Sequence, residues 1–256
     1  MNNYNISFIK SPSNIEINLN SSKSESNRLL IIKSLSDDNI KLSNLSKAND
    51  TILLNKLIKL NSNSIWDAED AGTTMRFLTS YLALQKEKVI LTGTERMKKR
   101  PIKILVDALE EIGAKIEYQE KKGYPPLIIN KKISQNKNSI SIRGDISSQY
   151  ISSLLMIAPI LKNGLIIKII SPFYSKPYVM MTLNLMKKFG INYEISKDSI
   201  SIKNQKYKEA SYKVESDWSA ASYWYSFLSI NKMFKEIRLI GLRKDSFQGD
   251  QIIKKI

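Results

Sequence analysis

Cysteine and histidine are both missing from the 256 residues. Without cysteine there is no disulfide, no thiolate nucleophile and no thiolate metal ligand. Without histidine, the commonest general base near neutral pH and the commonest metal ligand are gone. Any catalysis must therefore use lysine, arginine, carboxylates and hydroxyls. Long apolar runs are lacking too: no stretch of about 18 uncharged apolar residues occurs, which argues against a membrane-spanning helix. The opening MNNYNISFIKSPSN lacks the basic-then-apolar layout of a secretory signal. A soluble cytoplasmic chain that does not engage membranes is the expectation. Arginine is scarce, with 7 residues against 33 lysines inside a net charge of +16.

Such a charge invites a nucleic-acid reading, because a basic footprint is the first sign of phosphate-backbone binding. The lysines, however, are scattered among asparagines and isoleucines, the pattern of an AT-rich coding bias, and read as a solvated surface. A basic nucleic-acid-binding module would interleave aromatics with basic residues on strands. Here tyrosine and tryptophan gather in DWSAASYWYSFL instead. Nucleic acid is not the expected partner. Arginine, not interchangeable with lysine at bidentate anion sites, is the informative cation.

Apolar runs bounded by polar clusters predict strands at Ile15–Leu19, Ile40–Leu42, Val89–Leu91, Lys115–Tyr118, Leu127–Ile129, Ser139–Ile142, Leu165–Ile170, Tyr193–Ile195, Ile200–Ile202 and Ile237–Ile240. Helix-period segments lie between them. In PIKILVDALEEIG, residues Ile102, Leu105, Val106, Leu109 and Ile112 share one face, with Pro101 suited to the first turn and Gly113 to the stop. KPYVMMTLNLMKKFG repeats the design, closing at Gly190, and two short strand-like runs follow each helix. A cation before proline opens each unit, at Arg100 and Lys176. An internal repeat is the reading, with SESNRLLIIKSLS and NDTILLNKLIKL as helices of a third unit that lacks the glycine stop. Three copies of a strand–helix–strand–helix–strand–strand module are expected.

Five motifs place anion-binding groups at helix starts. SKSESNR offers Lys23, Ser24 and Arg28, a point cation, hydroxyls and a guanidinium fork before a helix. DAEDAGTTMRFL offers Asp70, Gly72 and Thr73; glycine lets a backbone approach a ligand closely. TGTERMKKRPI ends in Arg100, RGDISSQYISSLLMIAP carries Ser147, Ser148 and Gln149, and SPFYSKPYV puts Ser175 and Lys176 ahead of the helix that contains Tyr178. Each alone is no more than a capped helix with a surface cation. Together they suit an electrostatic catalyst for phosphate-bearing substrates.

These motifs, in series with GYPPL, VESDWSAASY and SFQGD, resemble the 5-enolpyruvylshikimate-3-phosphate synthase family in order and spacing along essentially the whole chain. The resemblance implies an inside-out α/β barrel of βαβαββ repeats, helices within and sheets outside. It implies transfer of the carboxyvinyl group of phosphoenolpyruvate to the 5-hydroxyl of shikimate 3-phosphate, with no metal or organic cofactor. Lys23 would then contact both substrates as the catalytic lysine. Ser24 and Arg28 would hold shikimate 3-phosphate, and Gly72 and Arg100 phosphoenolpyruvate. Ser147, Ser148 and Ser175 would serve the shikimate phosphate and ring, with Gln149 between the substrates. Asp70 and Thr73 would shape the phosphoenolpyruvate loop, and Tyr178 would border the shikimate site. The related UDP-N-acetylglucosamine carboxyvinyl transferases usually have a loop cysteine and a Lys-Asn pair, where this chain has no cysteine and Lys23-Ser24.

Family members continue beyond the point matching Ile256, through an acidic segment, a Lys/Arg segment and a His-Arg motif. By analogy, residues 22–214 form one complete domain, and 1–21 with 215–256 form part of a second. A monomer whose second half is absent, binding shikimate 3-phosphate weakly and turning over little, is the expectation.

Overall fold

The computed structural model describes residues 14–36, 40–60, 64–230 and 236–255. Strand β1 (Asn14–Asn18), helix α1 (Lys23–Ser34), strand β2 (Ile40–Ser43) and helix α2 (Asn49–Leu57) come first. Two runs of one pattern follow. The first is β3 (Ile65–Asp67), α3 (Gly72–Leu82), β4 (Val89–Thr92), α4 (Lys103–Glu111), β5 (Lys115–Tyr118) and β6 (Leu127–Lys131). The second is β7 (Ser139–Ile142), α5 (Ser148–Ile157), β8 (Leu165–Ile169), α6 (Lys176–Lys188), β9 (Glu194–Ser196) and β10 (Ser199–Ile202). Strand β11 (Ala210–Lys213), helix α7 (Trp218–Ile230), strand β12 (Glu236–Ile240) and a 3-10 helix over Gly249–Lys255 follow, and short 3-10 turns at Met97–Lys99 and Ala158–Ile160 lie within the two runs.

The two full runs build sheets of the same topology, β3-β4-β6-β5 and β7-β8-β10-β9. In each, the first pair is parallel and the others antiparallel. The repeat read from Gly113 and Gly190 is therefore real. Both glycines end their helices at positive φ, 99° and 82°, where a side chain would be strained.

The third copy differs from the expected module. Its first strand is β11, which pairs in parallel with β2, so the unit is assembled from both ends of the chain around α1 and α2. No closing hairpin belongs to it among the described residues. Two of the observed strands, β3 and β11, were not expected from the sequence. Each is three or four residues long and buries only one side chain, Trp66 or Tyr212, so no alternation builds up.

The layering follows from burial. Helices α1, α3 and α5 are buried on all sides over Glu25–Ile32, Gly72–Ser80 and Tyr150–Ile157, whereas the outer strands alternate buried residues with half-buried or exposed ones. A helix buried all round belongs in a core, so the helices form the inner layer and the sheets the outer one. Most of their internal polar groups find partners, as burial favours: Ser80 Oγ donates to Ser153 Oγ at 2.9 Å and Thr51 Oγ1 to Asn27 Oδ1 at 2.7 Å, while Asn27 Nδ2 has no partner among the described residues. One contiguous apolar core runs from Leu29 to Val214. Strands β1 and β12 pair apart from it, in parallel. The chain passes between the two regions at Ser21 and Ser216, which bridge each other.

Candidate functional site

Hydrogen bonds between helices show that six of them start level. Arg28 in α1 donates through Nε to Thr182 Oγ1 of α6 at 2.6 Å and through Nη2 to Ser152 Oγ of α5 at 3.2 Å. These residues stand five to seven positions into their helices. At about 1.5 Å per residue, the three N-termini lie within about one turn of a common height. Gln149 Nε2 donates to Thr73 Oγ1 at 3.1 Å, tying α5 to α3, and Thr74 Oγ1 donates to the Asp50 carbonyl at 3.1 Å, tying α3 to α2. Tyr150 Oη reaches the Pro101 carbonyl at 2.7 Å, just ahead of α4. Helices α2, α3, α4 and α6 have no side-chain cap. Their first N–H groups are left for a ligand or water, at the positive ends of the helix dipoles.

Cations stand at the same level. The Arg28 guanidinium is 3% exposed, lies 5.4 Å from the centre of the Phe77 ring and also donates to the Ser24 carbonyl at 2.9 Å. Among the described residues it has no carboxylate partner. Burial pulls its pKa down to about 10, with Tyr178 and then Glu25 opposing. Arg76, also buried, donates to the carbonyls of Gly72 and Pro101 at 3.1 and 3.2 Å. Burial lowers its pKa, Tyr150 opposes this, and the like charge of Arg100 lowers it further. Arg100 is exposed, with its guanidinium packed over Gly72: a Cβ built there would stand 2.7 Å from Nη2 and 2.8 Å from Cζ. Lys23 alone of these cations has a carboxylate, Asp50 Oδ2 at 3.6 Å.

The other expected residues fall on the same rim. Ser147 caps α5, accepting from the Gln149 N–H at 3.3 Å. The half-buried hydroxyls of Ser24, Ser148 and Ser175 form no intramolecular hydrogen bond among the described residues; Ser24 and Ser148 sit in the first turns of α1 and α5, and Ser175 stands immediately before α6. Thr73 is buried against Gln149, while Asp70 is exposed and accepts from Thr94 Oγ1 at 2.5 Å, bracing the loop before α3. Tyr178 points its hydroxyl at Asp250, 3.3 Å away, linking α6 to the Gly249–Lys255 helix.

Several residues in this arrangement were not singled out from the sequence. Asp50, the partner of Lys23, occupies the first turn of α2, where a helix-start pattern like the other five was available. Thr182 and Ser152 look like ordinary interior positions of their helices, and only the tertiary fold shows them meeting Arg28.

Level helix starts, unneutralised guanidiniums and free hydroxyls define an inside-out α/β protein equipped to hold a multiply charged anion by electrostatics. The family model described as EPSP synthase (3-phosphoshikimate 1-carboxyvinyltransferase) matches residues 55–256. A 3-phosphoshikimate 1-carboxyvinyltransferase of Bacteroides fragilis is 46% identical over 95% of this chain and 59% of its own length. One from Buchnera aphidicola is 40% identical over 92% of this chain and 60% of its own. Among solved structures, an EPSP synthase from Acinetobacter baumannii superposes with a TM-score of 0.72 at 18% identity, covering 88% of this chain and 54% of that one. The chain belongs to the EPSP synthase family, and it spans about three fifths of the length of the curated relatives it matches.

Proposed function

We propose that the chain binds shikimate 3-phosphate and phosphoenolpyruvate at these helix starts and serves carboxyvinyl transfer to the shikimate 5-hydroxyl. A C–O bond forms between the 5-oxygen and C2 of phosphoenolpyruvate as the 5-hydroxyl gives up its proton and C3 takes one up. Loss of that proton with the phosphate then restores the double bond. In this reading Ser24, Arg28, Ser147, Ser148 and Ser175 hold shikimate 3-phosphate, with Tyr178 at its border. Gly72 and Arg100 hold phosphoenolpyruvate, with Asp70 and Thr73 shaping the loop. Gln149 lies between the two substrates and Lys23 touches both. The observation that carries the reading is the set of guanidiniums at the level helix starts without a carboxylate among the described residues. Such charge is unfavourable until an anion arrives. Calorimetric titration with shikimate 3-phosphate should give a saturable heat that weakens with added salt; no heat at millimolar ligand would overturn the proposal.

Gly72 supplies a second test. A methyl group there must displace the Arg100 guanidinium, the far end of a flexible side chain, so Gly72→Ala should fold normally. Phosphoenolpyruvate affinity should fall by about tenfold or more, the worth of one charge-assisted contact. Competition titrations beside a melting curve would check both halves.

In the same proposal, residues 22–214 form one domain and the segments around β1 and 215–255 belong to a second. The core from Leu29 to Val214 supports this division, since Trp218 and Ala221 are buried outside it. So does α7, which exposes Tyr223, Tyr225, Phe227 and Ile230. These exposed aromatics carry no neighbouring lysine or arginine on their helix, which favours small anions over nucleic acid as ligands. Among the described residues no helix is long and apolar enough to cross a membrane. A monomer in the cytoplasm completes the reading.

A further inference from the structure

Two carboxylates, Glu25 and Glu215, are buried together where the chain crosses between its two regions, 0% and 2% exposed. They have very different surroundings. Glu215 Oε1 accepts from Trp218 Nε1 at 2.7 Å and from the Arg243 N–H at 2.6 Å; Oε2 accepts from Ser246 Oγ at 2.6 Å and Gln248 Nε2 at 3.2 Å. Four donors are what an ionised carboxylate wants. Glu25 has the Glu215 N–H at 3.2 Å and a long contact to Tyr212 Oη at 3.5 Å.

The ionisable groups around Glu25 leave it without a close cation. Tyr212 faces it from β11, Glu215 from the crossover, Arg243 from the loop after β12, and Arg28 from its own helix. The Arg243 guanidinium is engaged elsewhere: it stacks on Tyr212 with 5.0 Å to the ring centre and donates to Tyr212 Oη and the Lys213 carbonyl. Arg28 is committed to Thr182, Ser152 and Ser24. Two buried anions this close, with one of them fully solvated by donors, call for a proton on the other.

We propose that Glu25 acts in its neutral, protonated form as a positioning residue, fixing the start of α1 to the crossover segment at Glu215. The connection is a closed ring. The Ser22 N–H donates to the Glu215 carbonyl at 2.8 Å, Ser22 Oγ accepts from the Glu25 N–H at 3.4 Å, and the Glu215 N–H returns to the Glu25 carboxyl. Lys23 and Ser24 ride on that ring. Loss of the proton sets two anions against each other and loosens the turn that carries both side chains. The consequence for ligand binding rests on the proposed function; the proton itself does not.

Burial, chiefly, with the charge of Glu215 adding to it, pushes the Glu25 carboxyl up from 4.5 to about 7, against opposing hydrogen bonds and the more distant Arg243. The raised value fixes the sign: the contribution to stability is complete below pH 4.5 and is lost as pH rises through about 7. The test uses ligand-free protein, so its failure is separate from failure of the proposed function. Carbon-13 NMR of the Glu25 carboxyl in the wild type should titrate with a midpoint near 7, and a midpoint near 4.5 overturns the proposal. Urea denaturation of wild type and Glu25→Gln between pH 5 and 8.5 should agree at the acid end. It should then diverge as the wild type alone loses about 75-fold in its folding constant across that range, the part of the full shift that falls between pH 5 and 8.5. Parallel pH dependences in the two proteins overturn the proposal. Should Glu25→Gln fail to fold, the wild-type titration decides.

Discussion

Replacing Arg28 with methionine is expected to abolish shikimate 3-phosphate binding while leaving the thermal midpoint within a few degrees of the wild type. The binding loss follows from removing a guanidinium fork from the proposed phosphate-side contacts. Charge-assisted hydrogen bonds are worth about 1.5–3 kcal/mol each, so two of them amount to about 100-fold or more in affinity. The tolerance of the fold is less obvious. Arg28 is fully enclosed by α1, α5 and α6, and among the described residues no carboxylate pays back its desolvation. Burying an unpaired charge costs several kcal/mol, and methionine of similar length fills much of the same space against Phe77. The hydroxyls left behind keep partners: the single Thr182 Oγ1 proton has Ser152 Oγ at 2.9 Å and the Tyr178 carbonyl at 3.0 Å as alternative acceptors. Differential scanning calorimetry beside binding titrations would check both halves. Collapse of the fold in Arg28→Met would show that the arginine is structural; retained affinity would remove it from the site.

The same residue shows what could be read in advance and what could not. Ten strand segments and the helices between them were legible because β-branched runs, helical apolar periodicity and, at α4 and α6, a cation and proline before the helix with glycine after it are local signals. The helix-start motifs were legible for the same reason: hydroxyls, glycine and cations at a turn are contiguous in the chain. That Arg28 is spoken for by Thr182 and Ser152 depends on residues 154 and 124 positions away, and no local pattern marks them. The discontinuous third repeat escaped for a related reason. Strand β11 completes a unit whose helices lie near the other end of the chain, and its ASYK sequence has one inward side chain with which to announce itself. Glu25 reads as an acidic residue in a first helical turn, a favourable place for a surface carboxylate. Only the crossover segment packed over it turns that residue into a buried carboxyl.

Removing the acceptor at Glu215 is expected to unfold one region and spare the other. In Glu215→Ala, Trp218 Nε1, Ser246 Oγ, Gln248 Nε2 and the Arg243 N–H lose a shared partner. An orphaned buried donor costs about 1–3 kcal/mol, so four together cost several kcal/mol even where water reaches some of them. That exceeds what 215–255 can supply alone, since α7 buries only Trp218 and Ala221 and the 3-10 helix buries nothing. Hydrogen exchange should therefore show protection lost over 215–255 and retained in α1, α3 and α5, whose core does not include those residues. Uniform loss of protection would mean that the two regions fold as one unit and would sink the domain division proposed above. Glu215→Gln separates charge from hydrogen bonding: it keeps an acceptor for part of the cluster and removes the anion that faces Glu25. Its cost should be smaller, about 1–2 kcal/mol, and should shrink as pH rises past 7, where the wild type carries both charges.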